Sequence, residues 1–88
     1  DYFAYNGLKF SKLDSKLTEE DLRNLDKSQL RLMRNAVYAR HGHTFKSVDL
    51  QSLWECYTWY KKNPNYSDSL LTDIDKYNIE LIQKYESK

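Results

Sequence analysis

Hydrogen-bonding side chains recur between residues 30 and 45, and they are the best candidates for chemistry in this sequence. If this stretch is helical, a turn of about 100° per residue places them on one face, as a polar stripe roughly 120° wide. Guanidinium groups beside an amide and a phenol could bind a carboxylate, a phosphate or a sugar. In angular order the stripe contains His41, Arg34, Tyr38, Arg31 and Asn35.

The same stripe has a structural interpretation, in which it forms a polar layer around a small core. Arg34 and Asn35 would then donate hydrogen bonds to loop carbonyls that the core cannot cover. Small domains with long loops need such donors, so we favour this interpretation. If the stripe is instead a binding surface, Arg31, Arg34, Asn35 and Tyr38 are its candidate residues.

Aromatic residues make up 15% of the chain, and several of them follow residue 56. Trp59 and Tyr60 open a segment that Pro64 should keep out of a helix. Together with Tyr57 and Tyr66, they could form a stacking platform for a glycan or a peptide. They could also complete a core that contains few Val and Ile residues, which is the interpretation we favour. Trp59 and Tyr60 remain the candidate binding residues of this loop.

His41 and His43 are separated by one residue and could supply half of a metal site. A histidine is favourable at a helix C-terminus without a metal, however, and no acidic or cysteine ligand stands nearby in sequence. The single Cys56 excludes an intramolecular disulfide and has no base beside it. We therefore expect no enzyme activity, no catalytic residue, no metal and no cofactor. The alternative is a metal-binding or hydrolytic domain that uses His41, His43 and Tyr38.

Helix signals bracket the polar stripe. Asp26, followed three residues later by Gln29, predicts a helix that begins near Lys27. Gly42 can adopt the left-handed conformation that closes a helix, so the helix should stop near His41.

The other half of this helix is apolar and should pack against the remaining helices. Arg40 breaks the pattern, because it projects into the apolar half near the helix end. Phe45 should fold back over the Gly42 closure as an apolar plug. The apolar half consists of Leu30, Leu32, Met33, Ala36, Val37 and Ala39.

Capping signals predict three further helices. Thr18 should cap a short helix and Ser47 the helix that follows the stripe. Thr72 with Asp75 should open a last helix that runs to about Glu86.

Asn78 lies near the centre of the apolar arc of that last helix. Burying an amide without partners costs about 1–3 kcal/mol, so Asn78 should bind backbone carbonyls, a loop, or Arg34 and Tyr38.

Residues 1–16 lack a helical period and contain a turn signal at Asn6-Gly7, so they should form a short extended or hairpin segment. Residues 17–88 should form the helical part of a single domain. The predicted fold is all-α: a small irregular four-helix array with an aromatic-rich loop and a short extended N-terminal segment.

The charge balance excludes several classes of partner. The 88 residues contain 14 Lys and Arg against 13 Asp and Glu, with a net charge of +1 and no basic run. Binding to nucleic acid or to an anionic membrane surface is therefore not expected. No apolar stretch is long enough to span a bilayer.

Residues 34–42 read Arg-Asn-Ala-Val-Tyr-Ala-Arg-His-Gly, and with Phe45 they resemble the signature of the YARHG domain, a bacterial family named for residues 38–42. The similarity runs from roughly Ser15 to Glu86. Ala36 departs from the pattern where Glu is common, and Trp54 departs where Phe is common. The residues of this sequence that carry a structural signature are Tyr38, Ala39, Arg40, His41, Gly42, Phe45 and Asn78.

The resemblance implies a module outside the cytoplasmic membrane, secreted or attached to the cell envelope, often within a larger protein. It brings no established activity or ligand. We therefore predict a non-catalytic binding or interaction module of a bacterial envelope protein. The expected partner is an unknown protein or a cell-wall component, and the expected state is a monomer. A purely structural spacer domain is a further alternative.

Overall fold

Four α-helices provide most of the regular structure in the computed structural model, which describes residues 4–5 and 8–88. They are α1 (Glu19–Arg23), α2 (Lys27–Ala39), α3 (Val48–Glu55) and α4 (Asp73–Glu86). In the same residues, two short strands, β1 (Ala4–Tyr5) and β2 (Leu8–Lys9), pair in antiparallel fashion, and 3-10 helices cover Phe10–Asp14 and Asp68–Leu70. The predicted all-α, four-helix fold is confirmed.

The starts of the helices follow the capping chemistry of the sequence. Ser47 precedes α3 as predicted, but its hydroxyl does not accept a hydrogen bond from the helix. It donates to the Asp49 carboxylate instead. Reciprocal capping boxes open α1, α2 and α4. The paired residues are Thr18 with Asp21, Asp26 with Gln29, and Thr72 with Asp75.

The helices α2 and α4 pack against each other in antiparallel orientation. At the start of α2, the Lys27 ammonium donates a hydrogen bond to the carbonyl of Glu86, the last residue of α4. Just beyond the end of α2, His41 meets Asp75 in the first turn of α4. Contacts at both ends therefore fix the pair in register.

Buried side chains from every α-helix and from the N-terminal segment form one core. Trp54 of α3 is fully buried and contacts Phe10 edge to face, with ring centroids 5.5 Å apart. Trp59 packs on Trp54 at 5.9 Å, and Phe45 does so at 6.3 Å. Leu22 and Ile82 bring α1 and α4 into the same core.

The N-terminal segment is extended only in part. The strands β1 and β2 agree with the prediction, but residues 10–14 form a 3-10 helix where extended chain was expected. The reason is packing, because Phe10 and Leu13 both point into the core from this turn. Residues 1–3 and the predicted turn at Asn6-Gly7 lie outside the described residues. The division of the chain at residue 16 stays a prediction.

Asn78 has the buried partners that its position in α4 requires. Its side chain is fully buried. The Asn78 oxygen accepts from the Leu17 N–H at 2.8 Å, and its amide nitrogen donates to the Ser15 carbonyl at 3.1 Å. The predicted pairing with backbone groups is confirmed, and it anchors the segment before α1 on α4.

Gly42 closes α2, although the helix ends at Ala39, two residues before the predicted end. Gly42 has a φ of +89°, and its N–H donates to the Ala39 carbonyl at 3.0 Å. A Cβ here would lie 2.6 Å from the Lys61 carbonyl oxygen and 2.6 Å from the Asn63 Cβ. Residues 61–63 therefore lie against Gly42, while the Phe45 ring packs on Trp54. The predicted plug by Phe45 stays a prediction.

Replacing Asn78 by Leu should lower the free energy of unfolding by about 1–3 kcal/mol, because two buried backbone groups lose their partners. Urea unfolding followed by far-UV circular dichroism measures this change. Asn35→Leu is the matched control, since the Asn35 amide donates only to a carbonyl within its own helix. A neutral or stabilised Asn78→Leu variant would contradict the anchoring role.

Gly42→Ala and Gly42→Asn should both lower the free energy of unfolding, by at least about 2 kcal/mol, in the same measurement. Asparagine tolerates a positive φ, but its Cβ would still collide with the backbone at residues 61 and 63. An Asn variant as stable as the wild type would show that only the φ angle matters at this position.

Candidate functional site

Arg34 is held by an ion pair between α2 and α4. Its Nε lies 2.6 Å from Oε1 of Glu86, and its Nη2 lies 3.3 Å from Oε2. This two-point contact uses the guanidinium geometry that would otherwise recognise a carboxylate ligand. A ligand at Arg34 would have to displace Glu86.

Arg31 and Asn35 also have partners within the protein. The Arg31 guanidinium lies 3.5 Å from both the Asp49 carboxylate and the Ser47 hydroxyl, so it joins α2 to the start of α3. The Asn35 amide donates to the Arg31 carbonyl at 2.8 Å. The geometry of the stripe thus agrees with the structural interpretation at these two positions.

The two candidate residues of the aromatic loop lie largely in the core. Tyr60 is 8% exposed, and its hydroxyl donates to the His43 carbonyl at 2.8 Å. The Gln51 amide donates to the same hydroxyl at 3.2 Å, which ties the loop to α3. Trp59 is half-buried against Trp54. Both rings therefore contribute to the core.

His41 forms a partly buried hydrogen bond that joins the end of α2 to α4. Its Nε2 lies 2.7 Å from Oδ2 of Asp75, and Asp75 is 5% exposed. Burial alone would raise the pKa of the Asp75 carboxyl, but hydrogen bonds from the Thr72 N–H and from His41 hold it below its ordinary value of 3.8. Asp75 therefore stays ionised, and it caps α4 while it holds His41.

Arg40 lies beside this contact, and its partner accounts for its position in the apolar half of α2. Its guanidinium forms an ion pair with Asp14, at the end of the first 3-10 helix. Arg40 and Asp14 line a cavity of about 310 Å³ together with His41 and Asp75. Each of these four charged or titratable side chains already has a partner in the cluster.

A second cavity, of about 420 Å³, is lined by His43 and residues 62–64, and we call it the His43 cavity. His43 contacts the rings of Phe45 and Tyr66, each with centroids 4.7 Å away. The Tyr38 ring lies 6.0 Å from the His43 ring. The cavity is lined by His43, Thr44, Lys62, Asn63, Pro64 and Tyr66.

Among the described residues, two polar groups near the His43 cavity lack the hydrogen-bond partners that Arg31 and Arg34 have within the protein. Within the described part of the chain, the ring nitrogens of His43 and the hydroxyl of Tyr38 have no hydrogen-bond partner. The Tyr66 hydroxyl donates to Asp68 at 3.0 Å. Burial and this carboxylate strongly raise the pKa of Tyr66, so its phenol stays neutral.

Sequence reasoning identified Tyr38 and named Tyr66 as part of a possible stacking platform, but it did not select Asn63. The signal that could have found Asn63 is Gly42, because a glycine at a helix end can accept a close backbone neighbour. The chain that makes this approach is about 20 residues away, and local patterns do not reveal it.

The two histidines point to different surroundings, His41 to Asp75 and His43 to aromatic rings. Among the residues that the structure describes, no group of three or more His, Cys, Asp or Glu side chains is placed to hold a metal ion.

In this same part of the chain, no helix combines the length and the apolar composition needed to cross a membrane.

Comparison with known proteins identifies the family. The model of the YARHG domain matches residues 6–87, nearly the whole chain. The chain belongs to the YARHG domain family. No curated protein gives a significant match to it.

The YARHG domain is also similar to a solved structure. This is a crystal structure of a Legionella pneumophila protein described as a candidate nutrient binding protein, with a TM-score of 0.73 and 35% sequence identity. The match covers 88% of this chain and 24% of the Legionella chain. The YARHG domain therefore spans about a quarter of the length of that protein.

Asp75→Asn should destabilise the YARHG domain at neutral pH by about 1–2 kcal/mol, because it weakens both the cap of α4 and the contact with His41. The pKa of Asp75 is lowered in the folded state, so its contribution to stability is present above the unfolded-state pKa. This contribution is lost as the pH falls through the folded-state value, below 3.8. Urea unfolding across this pH range should show a shallower loss of stability in the variant.

Asp73→Asn provides the matched control for this measurement. Asp73 lies in the same first turn of α4 but is exposed. The pH profile of this variant should follow that of the wild type. An Asp75→Asn profile that coincides with the wild-type profile would contradict the assigned role of Asp75.

Proposed function

We propose that this YARHG domain is a non-catalytic binding module of a larger extracytoplasmic protein, and that it binds a small molecule in the His43 cavity. The observation that carries the proposal is the contrast between the cavity lined by Asp75 and the His43 cavity. The charged groups that line the Asp75 cavity are paired with one another. The His43 cavity, of about 420 Å³, has polar atoms that have no partner in the described chain.

The comparisons support the module and its setting. The similar Legionella protein is described as a candidate nutrient binding protein, and it is about four times as long as the matched region. A domain of this size within a longer protein fits a role in binding better than a complete catalytic unit. Nutrient binding is also typical of proteins outside the cytoplasmic membrane. The family resemblance implies the same location.

The arrangement of the side chains that could do catalysis supports a non-catalytic role. Asp75 is buried and engaged as a helix cap, so the His41-Asp75 pair serves the fold. Cys56 is exposed and donates to the Ser52 carbonyl, within its own helix turn, at 3.3 Å. Neither arrangement places an activated nucleophile beside a base.

Amide-resolved NMR titration tests the proposal directly. The probes are D-glucose and N-acetyl-D-glucosamine, glycine and L-alanine, and inorganic phosphate. At least one probe should shift the amide resonances of His43, Thr44 and Asn63 in a saturable way. The resonances around Arg31 and Asp49, on the α3 side, should stay in place and serve as the internal control.

Two results would contradict the proposal. One is that no probe moves the resonances of the cavity. The other is that saturable shifts cluster at Arg31, Arg34 and Asn35, which would assign binding to the polar stripe of α2 after all.

A further inference from the structure

The free hydrogen-bonding atoms of the His43 cavity belong to different polar groups. They are the ring nitrogens of His43 and the hydroxyl of Thr44. None of these atoms has a hydrogen-bond partner in the described residues. Such groups can both donate to and accept from a ligand, which suits hydroxyl groups on the ligand.

Ring surfaces give the same cavity an apolar wall. The planes of His43 and Tyr66 are tilted by 56° at a centroid distance of 4.7 Å, and Pro64 lies beside them. Phe45 supports His43 from behind, edge to face at 84°. A ligand with a ring-shaped C–H surface can pack on this wall while its polar groups reach the cavity rim.

The charges around the cavity do not favour an ionic ligand. Among the described lining residues, Lys62 is the only Lys or Arg, and no Asp or Glu is present. The Lys62 ammonium lies 3.2 Å from the Glu55 carboxylate, which offsets its charge. The Tyr66 phenol is neutral and its donor is already used by Asp68.

We propose that the His43 cavity binds a neutral sugar, which it recognises through hydroxyl groups and one apolar face of the sugar ring. This inference rests on the proposed function and adds the class of ligand to it. His43 donates or accepts through its ring nitrogens, and the Tyr66 and Pro64 rings pack against the sugar.

The test compares sugar affinities of matched variants by the same NMR titration. His43→Phe keeps a ring of similar shape between Phe45 and Tyr66 but removes both nitrogens. It should weaken binding of the responding sugar by about tenfold, the effect of one lost hydrogen bond, with little change in Tm. Tyr77→Phe removes an exposed phenol hydroxyl outside the cavity and should leave the affinity unchanged.

Added salt separates a sugar from an anion. A neutral sugar should keep its affinity at high ionic strength, whereas an anion held by the Lys62 charge should lose affinity. Cellotetraose and chitotetraose separate two sources of the same chemistry. A tetramer that binds much more tightly than its monomer indicates a glycan chain, and equal affinities indicate a free sugar.

Several outcomes would overturn the inference. If phosphate or an amino acid saturates the cavity and no sugar does, the ligand class is wrong while the proposed function stands. If His43→Phe binds the sugar as tightly as the wild type, recognition does not use the imidazole and the inference fails. If no probe shifts the cavity resonances, both the inference and the proposed function fail.

Discussion

Gly42 turns the chain out of α2 with a positive φ and lets another backbone pass within hydrogen-bonding distance. The Asn63 N–H donates to the Gly42 carbonyl at 2.9 Å. This contact positions the segment that carries Tyr66, and the Tyr60 hydroxyl secures the same region on the His43 carbonyl. Because a side chain at position 42 would displace residues 61–63, the His43 cavity depends on the absence of a single Cβ atom.

The five residues that name the family have five separate physical roles in this chain. Tyr38 lies beside His43, with ring centroids 6.0 Å apart, and Ala39 is buried in the core. Arg40 binds Asp14, His41 binds Asp75, and Gly42 admits the crossing loop. Most of the signature therefore reflects the assembly of the fold. A signature of this kind can persist among domains with different ligands, because most of its residues serve the fold.

The predictable features of this fold are those set by residues three or four positions apart. The capping boxes at Thr18, Asp26 and Thr72 are of this kind, and the apolar face of α2 follows from its period. The burial of Asn78 was predictable, but its partners at residues 15 and 17 were only one of several possibilities. The pairing of Arg34 with Glu86 spans 52 residues and has no local signal. The 3-10 helix after β2 likewise forms because the core accepts Phe10 and Leu13, which local propensity does not encode.

The bonds from Asn78 have a consequence for the order of events during synthesis. They connect α4 to backbone groups 61 and 63 residues earlier in the chain, and Lys27, Arg34 and His41 all find their partners on α4 as well. A nascent chain that lacks α4 exposes the inner face of α2 and leaves these polar groups to water. The earlier helices can form transiently on the ribosome, but the loop closures that unite them must wait for α4 to emerge.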